Sequence, residues 1–599
     1  MMKRKKNEFL ALLCNLYIVA LLAALPLYTG DGYGRLGDIK YMLFRNISVL
    51  CLGIWLGAGM PGRIRAMTEW GRGAGAGAGR RGTEGRALPF NWLDWAVAAY
   101  AVCVVISAVC SSYGKLAWTG YDEWYMGAYS QLLFVGIYFF VSRQYDGASW
   151  PLYLGEAALF VVTLLGLLHR LGIDPLGLMT GWTGEDWEYS HLLSTLGNIN
   201  WLCGYYSAAL AFLLVHFLRE RRRWLQILLY LVSMLSFVLL GIQGSQSGWL
   251  ILAACTGACI LLGRGQKGIS RKICLLLSGF FLCMPLMELL VKLRGERAAM
   301  PADGDVFAHT AWYTWLIAGC VSLLLFLLAG RTEGKTAGKG RDKERKTAER
   351  DEAHERVSAV KSGYEGRRTA EKGEADGKVS AVKGGYEDRK TAIKEEAAER
   401  GLRGSRMKKI MIFGGIIAAL LIAFLIVCRS VDDGFGSGRG FLWRISLEWF
   451  SDAGLKDKLI GAGPDCYGAA VFQSLGMGSD VWKGERWEYS IFTNAHNEFL
   501  SQLCNTGILG AASYGAIFLA GLGMCLGRCR GERGGAEERS GVKEKSGAKK
   551  RGALWQSWLG FLAFAMYGIH SLVSFQQVLN APLLFLALGV CGSGFRDGN

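Results

Sequence analysis

Sixteen cysteines are scattered through the chain, mostly in apolar runs, and no two have zinc-type spacing. Cys525 and Cys529 are one residue too far apart for a C-x₂-C pair, so buried thiols are the expectation. The basic, glycine-rich "GRGAGAGAGRRG" (71–82) lacks the G-K-[ST] ending of a phosphate loop and reads as a linker. No A-x-A cleavage site follows "MMKRKKNEFLALLCNLYIVALLAALP", whose apolar stretch is long, so an uncleaved first span is expected rather than a signal peptide. Segment 429–498 carries Asp432, Asp433, Asp465, Asp480, Glu485 and Glu488 but a single histidine, His496. That spacing suits neither a tetrahedral nor an octahedral metal set, so metal-independent chemistry without a cofactor is expected.

What the chain does have is apolar length. Half of its 599 residues are hydrophobic, and charge is bunched between long apolar runs. Candidate spans, to be set against the roughly 30 Å of hydrocarbon that a helix must cross, lie near 9–27, 41–60, 92–110, 129–142, 151–168, 200–218, 224–241, 248–263, 273–291, 310–330, 410–428, 505–526, 554–573 and 578–595. Those at 129–142 and 248–263 are short. The expectation is an all-α polytopic integral membrane protein of about 12–14 transmembrane helices, with a large extracytoplasmic loop before the third-last span.

Basic residues give the orientation. "MKRKK", segment 61–90, "RERRR" (219–223), "RGQKGISRK" (264–272), 331–409 and 528–552 fall on one side if both termini are cytoplasmic. The net charge of +17 is therefore topological, and no nucleic-acid partner is expected. The division that follows is an N-terminal bundle (1–330), a charged cytoplasmic insert (331–409) and a pair of spans (410–528) flanking the extracytoplasmic loop 429–498. A basic cytoplasmic loop (529–552) and a C-terminal hairpin (553–599) complete the chain. The insert repeats itself: "VSAVKSGYEGRRTA" from Val357 returns as "VSAVKGGYEDRKTA" from Val379. Interrupting glycines make it a frayed or disordered appendage.

Several elements together resemble the O-antigen ligase and polymerase superfamily, in its Gram-positive-like branch. They are Arg439 four residues before Trp443, then Arg444, "GAGPDCYGAAVF" (461–472) and "AHNEFLSQLCNTGILG" (495–510). "STLGNINWLCGYY" (194–206) is similar to a Gly-Asn-x-Asn element that opens a span, and "DGYGRLGDIKYMLF" (31–44) looks like the branch's N-terminal pattern. Gln246, in "GSQSGWLIL", stands where relatives often carry an arginine.

The resemblance implies a plasma-membrane glycosyltransferase with an extracytoplasmic site. It would take a glycan from a polyprenyl diphosphate carrier and pass it to a glycan or other hydroxyl acceptor, polymerising surface-polysaccharide repeat units. The alternatives are a ligase onto a lipid, protein or wall acceptor, a lipid-linked oligosaccharide flippase, and a non-catalytic scaffold. Carried onto this chain, His496 is the base, and Arg439 and Arg444 grip the leaving diphosphate.

The residue chemistry fits that assignment. Outside the cytoplasm a glycosyl donor is normally a lipid diphosphate, whose release needs a cationic grip and whose acceptor needs a base. Arginine offers phosphate a planar fork, and histidine titrates near neutrality. Arg439 and Arg444 are five apart, so on one helix they do not stack. Asn497, Asn198 and Asn200 are candidates either for substrate contact or for helix caps and interhelical bonds. Glu288 and Lys292 are spaced to pair with each other, while His570 lies at the same end as the expected site. His216 lies at the opposite end.

One nonapeptide is written nearly twice: "WTGEDWEYS" (182–190) and "WKGERWEYS" (482–490). Both copies fall in expected outward loops. They are either interfacial segments or a pair of walls in which Trp187 and Trp487 face sugar rings and Glu188 and Glu488 bond hydroxyls.

Overall fold

The computed structural model describes residues 2–30, 32–72, 90–179, 191–263, 268–299, 306–329, 431–472, 492–535 and 544–594. One compact unit comprises Met1–Ala329 and Asp433–Asn599; the other, Gly330–Asp432, lies almost wholly outside the described residues. The repeat-bearing insert 331–409, the expected span 410–428 and both nonapeptides are likewise outside them.

The described chain is helical apart from one small hairpin. Its main helices are α1 (Met2–Val19), α2 (Leu36–Arg72), α3 (Trp92–Cys110), α4 (Ala128–Gln144) and α5 (Trp150–Arg170). Next come α6 (Ile199–Arg219), α7 (Arg223–Ile242), α8 (Gln246–Gly263), α9 (Ile269–Arg294) and α10 (Trp312–Ala329). The C-terminal part has α11 (Phe435–Asp452), the short α12 (Leu455–Ile460), α13 (Glu498–Gly535), α14 (Glu544–Ser571) and α15 (Ala581–Gly594).

Among the described residues, ten helices are long and apolar enough to cross a membrane. The protein is thus an all-α, multi-pass membrane protein. Every expected span within the described residues is met by a helix. Those at 129–142 and 578–595 are α4, with 17 residues, and α15, with 14. At 1.5 Å rise per residue these cover only about 25 and 21 Å, and both are packed inside the bundle rather than on its rim.

Burial orders the helices. The crossing part of α6 is 89% buried and that of α10 only 11%, which makes α6 the axis of the bundle and α10 a rim helix. Helix α6 packs against α7 and α14, and α14 against α8, α13 and α15. Without water to drive association, such contacts depend on close backbone approach at small residues. A Cβ on Gly521 of α13 would sit 1.7 Å from the ring of Phe564 on α14. Local caps fix the ends: Asn91 and Asp94 form a reciprocal capping box at the start of α3, and Pro151 opens α5. Lys40, fully buried, donates to the carbonyls of Leu25, Pro26 and Tyr28, where the helical run that continues α1 ends at Leu27.

Ion pairs away from the site account for three residues singled out in the sequence, Glu288, Lys292 and His216. Lys292 Nζ lies 2.6 Å from Glu288 Oε1, and His216 Nδ1 lies 2.9 Å from Glu156.

Candidate functional site

The site is assembled around a broken helix. Helix α13 is interrupted at Gly507, whose φ is 66° and ψ −171°. Carbonyls freed near the break are taken up by the "GAGPD" segment: Ala462 N donates to Cys504 O (3.0 Å) and Gly463 N to Asn505 O (2.9 Å). Ser107 Oγ of α3 also donates to Asn505 O, at 2.9 Å. A Cβ on Gly507 would approach the Leu459 carbonyl to 2.4 Å, and one on Gly461 the Asn505 carbonyl to 2.3 Å. Both motifs, "GAGPD" and "NTG", are therefore two sides of one contact that only glycine permits. Irregular backbone at this depth persists because protein groups satisfy it.

Asp465 fastens that contact to a third segment. It is buried with φ 57°, and its Oδ2 accepts from Tyr121 N and Met126 N, each at 3.0 Å. Burial pushes its carboxyl up to about 7. Asn497 caps the outer half of α13, its Oδ1 accepting from Phe499 N and Leu500 N at 3.1 Å. Its Nδ2 donates to Leu572 O at 2.9 Å, tying the cap to the α14–α15 connection.

His496 stands just before this cap, in the left-handed region (φ 47°), with its N–H donated to Asn494 Oδ1 at 3.0 Å. Its ring meets Phe575 edge to face, centroids 5.0 Å apart, and Phe575 meets Trp124 at 4.9 Å. Burial, and then the nearby Arg439, push His496 down to about 3. The near-neutral value expected from the sequence is therefore lowered, and the imidazole is neutral near pH 7.

Arg439 lies on α11 and donates from Nη1 to Gly436 O at 2.9 Å, while its buried Nε has no hydrogen-bond partner. Burial lowers its pKa from the ordinary guanidinium value, yet an arginine remains charged.

Arg444, the second expected diphosphate contact, is placed differently from Arg439. The five-residue offset turns it to an exposed face, where it pairs with Asp433 (2.7 Å) and Glu448 (3.2 Å). Those carboxylates hold its pKa above the ordinary value and already occupy its fork. The asparagines also prove largely structural. Asn497 spends both ends of its amide within the protein, Asn198 Oδ1 caps α6 by accepting from Asn200 N (2.8 Å), and Asn200 Oδ1 accepts from Ser245 Oγ (3.0 Å). Gln246 is exposed at the first turn of α8, whereas its neighbours Ser245 and Ser247 are buried. Trp187, Trp487, Glu188 and Glu488 lie outside the described residues.

Next to the His496 loop lies a small cleft whose lining includes Trp124, Gln131, Asp465, Asn494, Glu498 and Gln576. Glu498, 1% exposed, accepts from Tyr514 Oη at 2.5 Å. Tyr514 in turn accepts from Gln576 Nε2 (3.0 Å), and Gln576 Oε1 accepts from Gln131 Nε2 (2.9 Å). The site thus has two chemical halves: a cationic one around Arg439, and one of carboxyl, amide and aromatic groups under His496. The second half was not read from the sequence, although Glu498, an acid opening an apolar helix, was a visible signal.

Compared with protein-family models and with characterised proteins, the chain matches none. Among the described residues no group of three or more His, Cys, Asp or Glu is placed to hold a metal ion.

Proposed function

We propose that the protein is a membrane glycosyltransferase that moves a glycan from a polyprenyl diphosphate carrier to an acceptor hydroxyl on the extracytoplasmic face, extending surface-polysaccharide repeat units. The observation that carries this reading is His496 held just before the cap of α13, with an arginine on α11, Arg439, whose buried Nε has no hydrogen-bond partner. The ordered set of motifs from Arg439 to Gly510 supports it.

In this reading Arg439 binds the diphosphate and stabilises the charge that grows as the anomeric C–O bond to phosphate breaks. The acceptor hydroxyl lies in the amide- and carboxyl-lined half. Its oxygen forms the new bond to the anomeric carbon from the opposite side, with inversion, and its proton passes to the His496 imidazole. The polyprenyl diphosphate leaves. An anion against Arg439 also removes the positive field that depresses His496, so donor binding makes the base stronger when it is needed.

The test is His496→Ala in membranes supplied with a synthetic carrier-linked repeat unit. Wild type should give a ladder of chain lengths and the variant single units only. A ladder that survives removes His496 as the base; one-step transfer to a non-carrier acceptor identifies a ligase. Loss of translocation with chain-building intact identifies a flippase.

A further inference from the structure

The outer half of α13 carries a polar stripe whose ligand the scheme above does not name. Glu498, Ser501, Gln502, Asn505 and Thr506 recur at helical spacing, so they share one face, and all of them line the small cleft next to the His496 loop. Polar groups on a membrane-spanning helix are costly and mark function unless they satisfy one another. Most of these do. Thr506 Oγ1 donates to Gln502 Oε1 (3.0 Å), Gln502 Nε2 to Tyr100 Oη (3.0 Å) and Tyr100 Oη to Gln131 Oε1 (2.9 Å). Gln131 Nε2 then donates to Gln576 Oε1 (2.9 Å), Gln576 Nε2 to Tyr514 Oη (3.0 Å) and Tyr514 Oη to Glu498 Oε2 (2.5 Å). The chain links α3, α4, α13 and the α14–α15 connection, and every bond in it points towards the Glu498 carboxyl. Such a chain polarises its members and fixes that carboxyl in one orientation.

Two oxygens of the lining are left over. Glu498 Oε1 and Asn505 Oδ1 are buried without a hydrogen-bond partner, an arrangement that costs stability until a ligand supplies one. Tyr567 also approaches the Glu498 carboxyl, but its hydroxyl makes no hydrogen bond of normal geometry. Asn505 is held by its backbone, whose carbonyl accepts from Gly463 N and Ser107 Oγ at the helix break, so its side-chain oxygen is spare. Both leftover atoms are acceptors, and their complement is a set of donors. The two residues are seven positions apart, about 10 Å along a helix axis. That is too far to share one cation, whose oxygen ligands lie about 2.5 Å from it. A sugar carries hydroxyls around its whole rim. A hydroxyl both donates and accepts, so it satisfies a carboxyl oxygen with or without a proton on it. Trp124 and Phe575 line the same cleft, their ring centroids 4.9 Å apart, and supply the apolar surface that the C–H face of a sugar needs.

We infer that this cleft is a sugar-binding subsite, in which Glu498 and Asn505 accept from hydroxyls of a sugar that Trp124 and Phe575 cover. Its assignment to the acceptor rests on the glycosyltransferase reading, under which the occupant is the terminal sugar of the acceptor glycan. Phe575 lines the cleft and is also the ring against His496, so a sugar seated there lies one aromatic ring away from the base. The hydroxyls held in the cleft are therefore not the one that reacts. Glu498 is a binding residue that sets which sugar is accepted, not a second base.

The experiment is saturation-transfer NMR on the purified full-length chain in nanodiscs free of glycosidic detergent. The probes are the methyl glycosides of glucose, galactose, mannose and N-acetylglucosamine. At least one should bind wild type. Glu498→Gln, nearly isosteric and still able to accept from Tyr514 Oη, should weaken that binding by about tenfold or more, the loss of one hydrogen bond to a carboxylate. Trp124→Leu, at a half-buried loop position outside the hydrogen-bond chain, serves if Glu498→Gln fails to fold and should weaken binding by about fivefold. Lys292→Gln, away from the cleft, should bind as wild type within about twofold. If no probe binds wild type, or if Glu498→Gln and Trp124→Leu both bind as wild type does, the inference fails. A melting temperature raised by sodium but not by choline chloride, in wild type and not in Glu498→Gln, would mean that the carboxylate holds a cation, and also overturns it. The two readings fail separately. A ladder that survives His496→Ala, with glycoside binding lost in Glu498→Gln, removes the base and leaves the sugar subsite. A ladder lost in His496→Ala, with glycoside binding intact in Glu498→Gln and Trp124→Leu, removes the subsite and leaves the glycosyltransferase.

Discussion

Phe575 presents its ring to His496 nearly at a right angle, with an interplanar angle of 87° and centroids 5.0 Å apart. The contact orients the imidazole of a residue whose backbone is held in the left-handed region and whose backbone N–H donates to Asn494 Oδ1. Leucine preserves apolar bulk but not the flat face. Phe575→Leu should therefore lower kcat for chain extension by about tenfold, about 1.4 kcal/mol of transition-state stabilisation, with little change in the donor KM. Initial rates at varied donor concentration check this; a change confined to KM would mean that Phe575 contacts substrate rather than positioning the base.

The two arginines of α11 should behave oppositely. Arg444 spends its fork on Asp433 and Glu448 at an exposed face, and exposed pairs contribute about 0–1 kcal/mol. Arg444→Gln should leave extension within about threefold of wild type. Arg439→Lys keeps the charge but loses the planar fork, and should cut kcat/KM for the donor by about 100-fold, the cost of two lost phosphate contacts. Equal sensitivity at the two positions would mean that the diphosphate sits elsewhere on α11.

His496 gives a pH signature. Its folded pKa, about 3, lies below the ordinary 6.5 because of burial first and Arg439 second, so the free protein carries a neutral base throughout the usual range. A bound anion offsets the Arg439 charge and raises the imidazole pKa. The acidic limb of kcat, which reports the bound state, should therefore lie at higher pH than that of kcat/KM, which reports the free protein. Coincident limbs would show that donor binding does not reach His496.

How much of this was visible in the sequence differs from element to element. The spans were legible because each apolar run must satisfy its own backbone in lipid, and the long runs at 9–27, 92–110 and 200–218 are met by α1, α3 and α6. His496 and Arg439 were legible as a lone histidine and a motif-bound arginine. What the sequence did not reveal depends on distant segments meeting. Asp465 looked like one more loop carboxylate until Tyr121 and Met126, over 300 positions earlier, supplied its partners. Trp124 lay in an unremarked loop and became part of the wall behind His496 only through Phe575. The pairing of Arg444 with Asp433 and Glu448 was likewise not legible, because spacing along a helix does not reveal which carboxylates a side chain meets.

The break in α13 can be tested by glycine substitution. Gly507 and Gly461 each combine positive φ with a backbone carbonyl against the missing Cβ. Alanine at either position should lower the melting temperature of the purified protein or abolish its monodisperse recovery, because neither strain nor clash relaxes without parting α12 from α13. Gly515, on the same helix with nothing within 4 Å of its Cβ position, should accept alanine with no loss. If Gly507→Ala is as stable as Gly515→Ala, the helix is not broken there.

Asp465 separates hydrogen bonding from charge. Its carboxyl, raised by burial from 3.8 to about 7, binds its proton more tightly folded than unfolded. Its contribution to stability is therefore fully present below about pH 4 and is lost as pH rises through about 7. Asp465→Asn keeps an oxygen that can accept from both Tyr121 N and Met126 N and carries no charge. It should melt at a higher temperature than wild type at pH 8 and at the same temperature at pH 5. Asp465→Ala leaves both N–H groups without an acceptor and should cost about 1–3 kcal/mol for each at either pH. Thermal unfolding of the three proteins at the two pH values decides the matter. Should asparagine prove as damaging as alanine at pH 8, the carboxylate acts there as a charge, and the loop is held by a cation rather than by two hydrogen bonds.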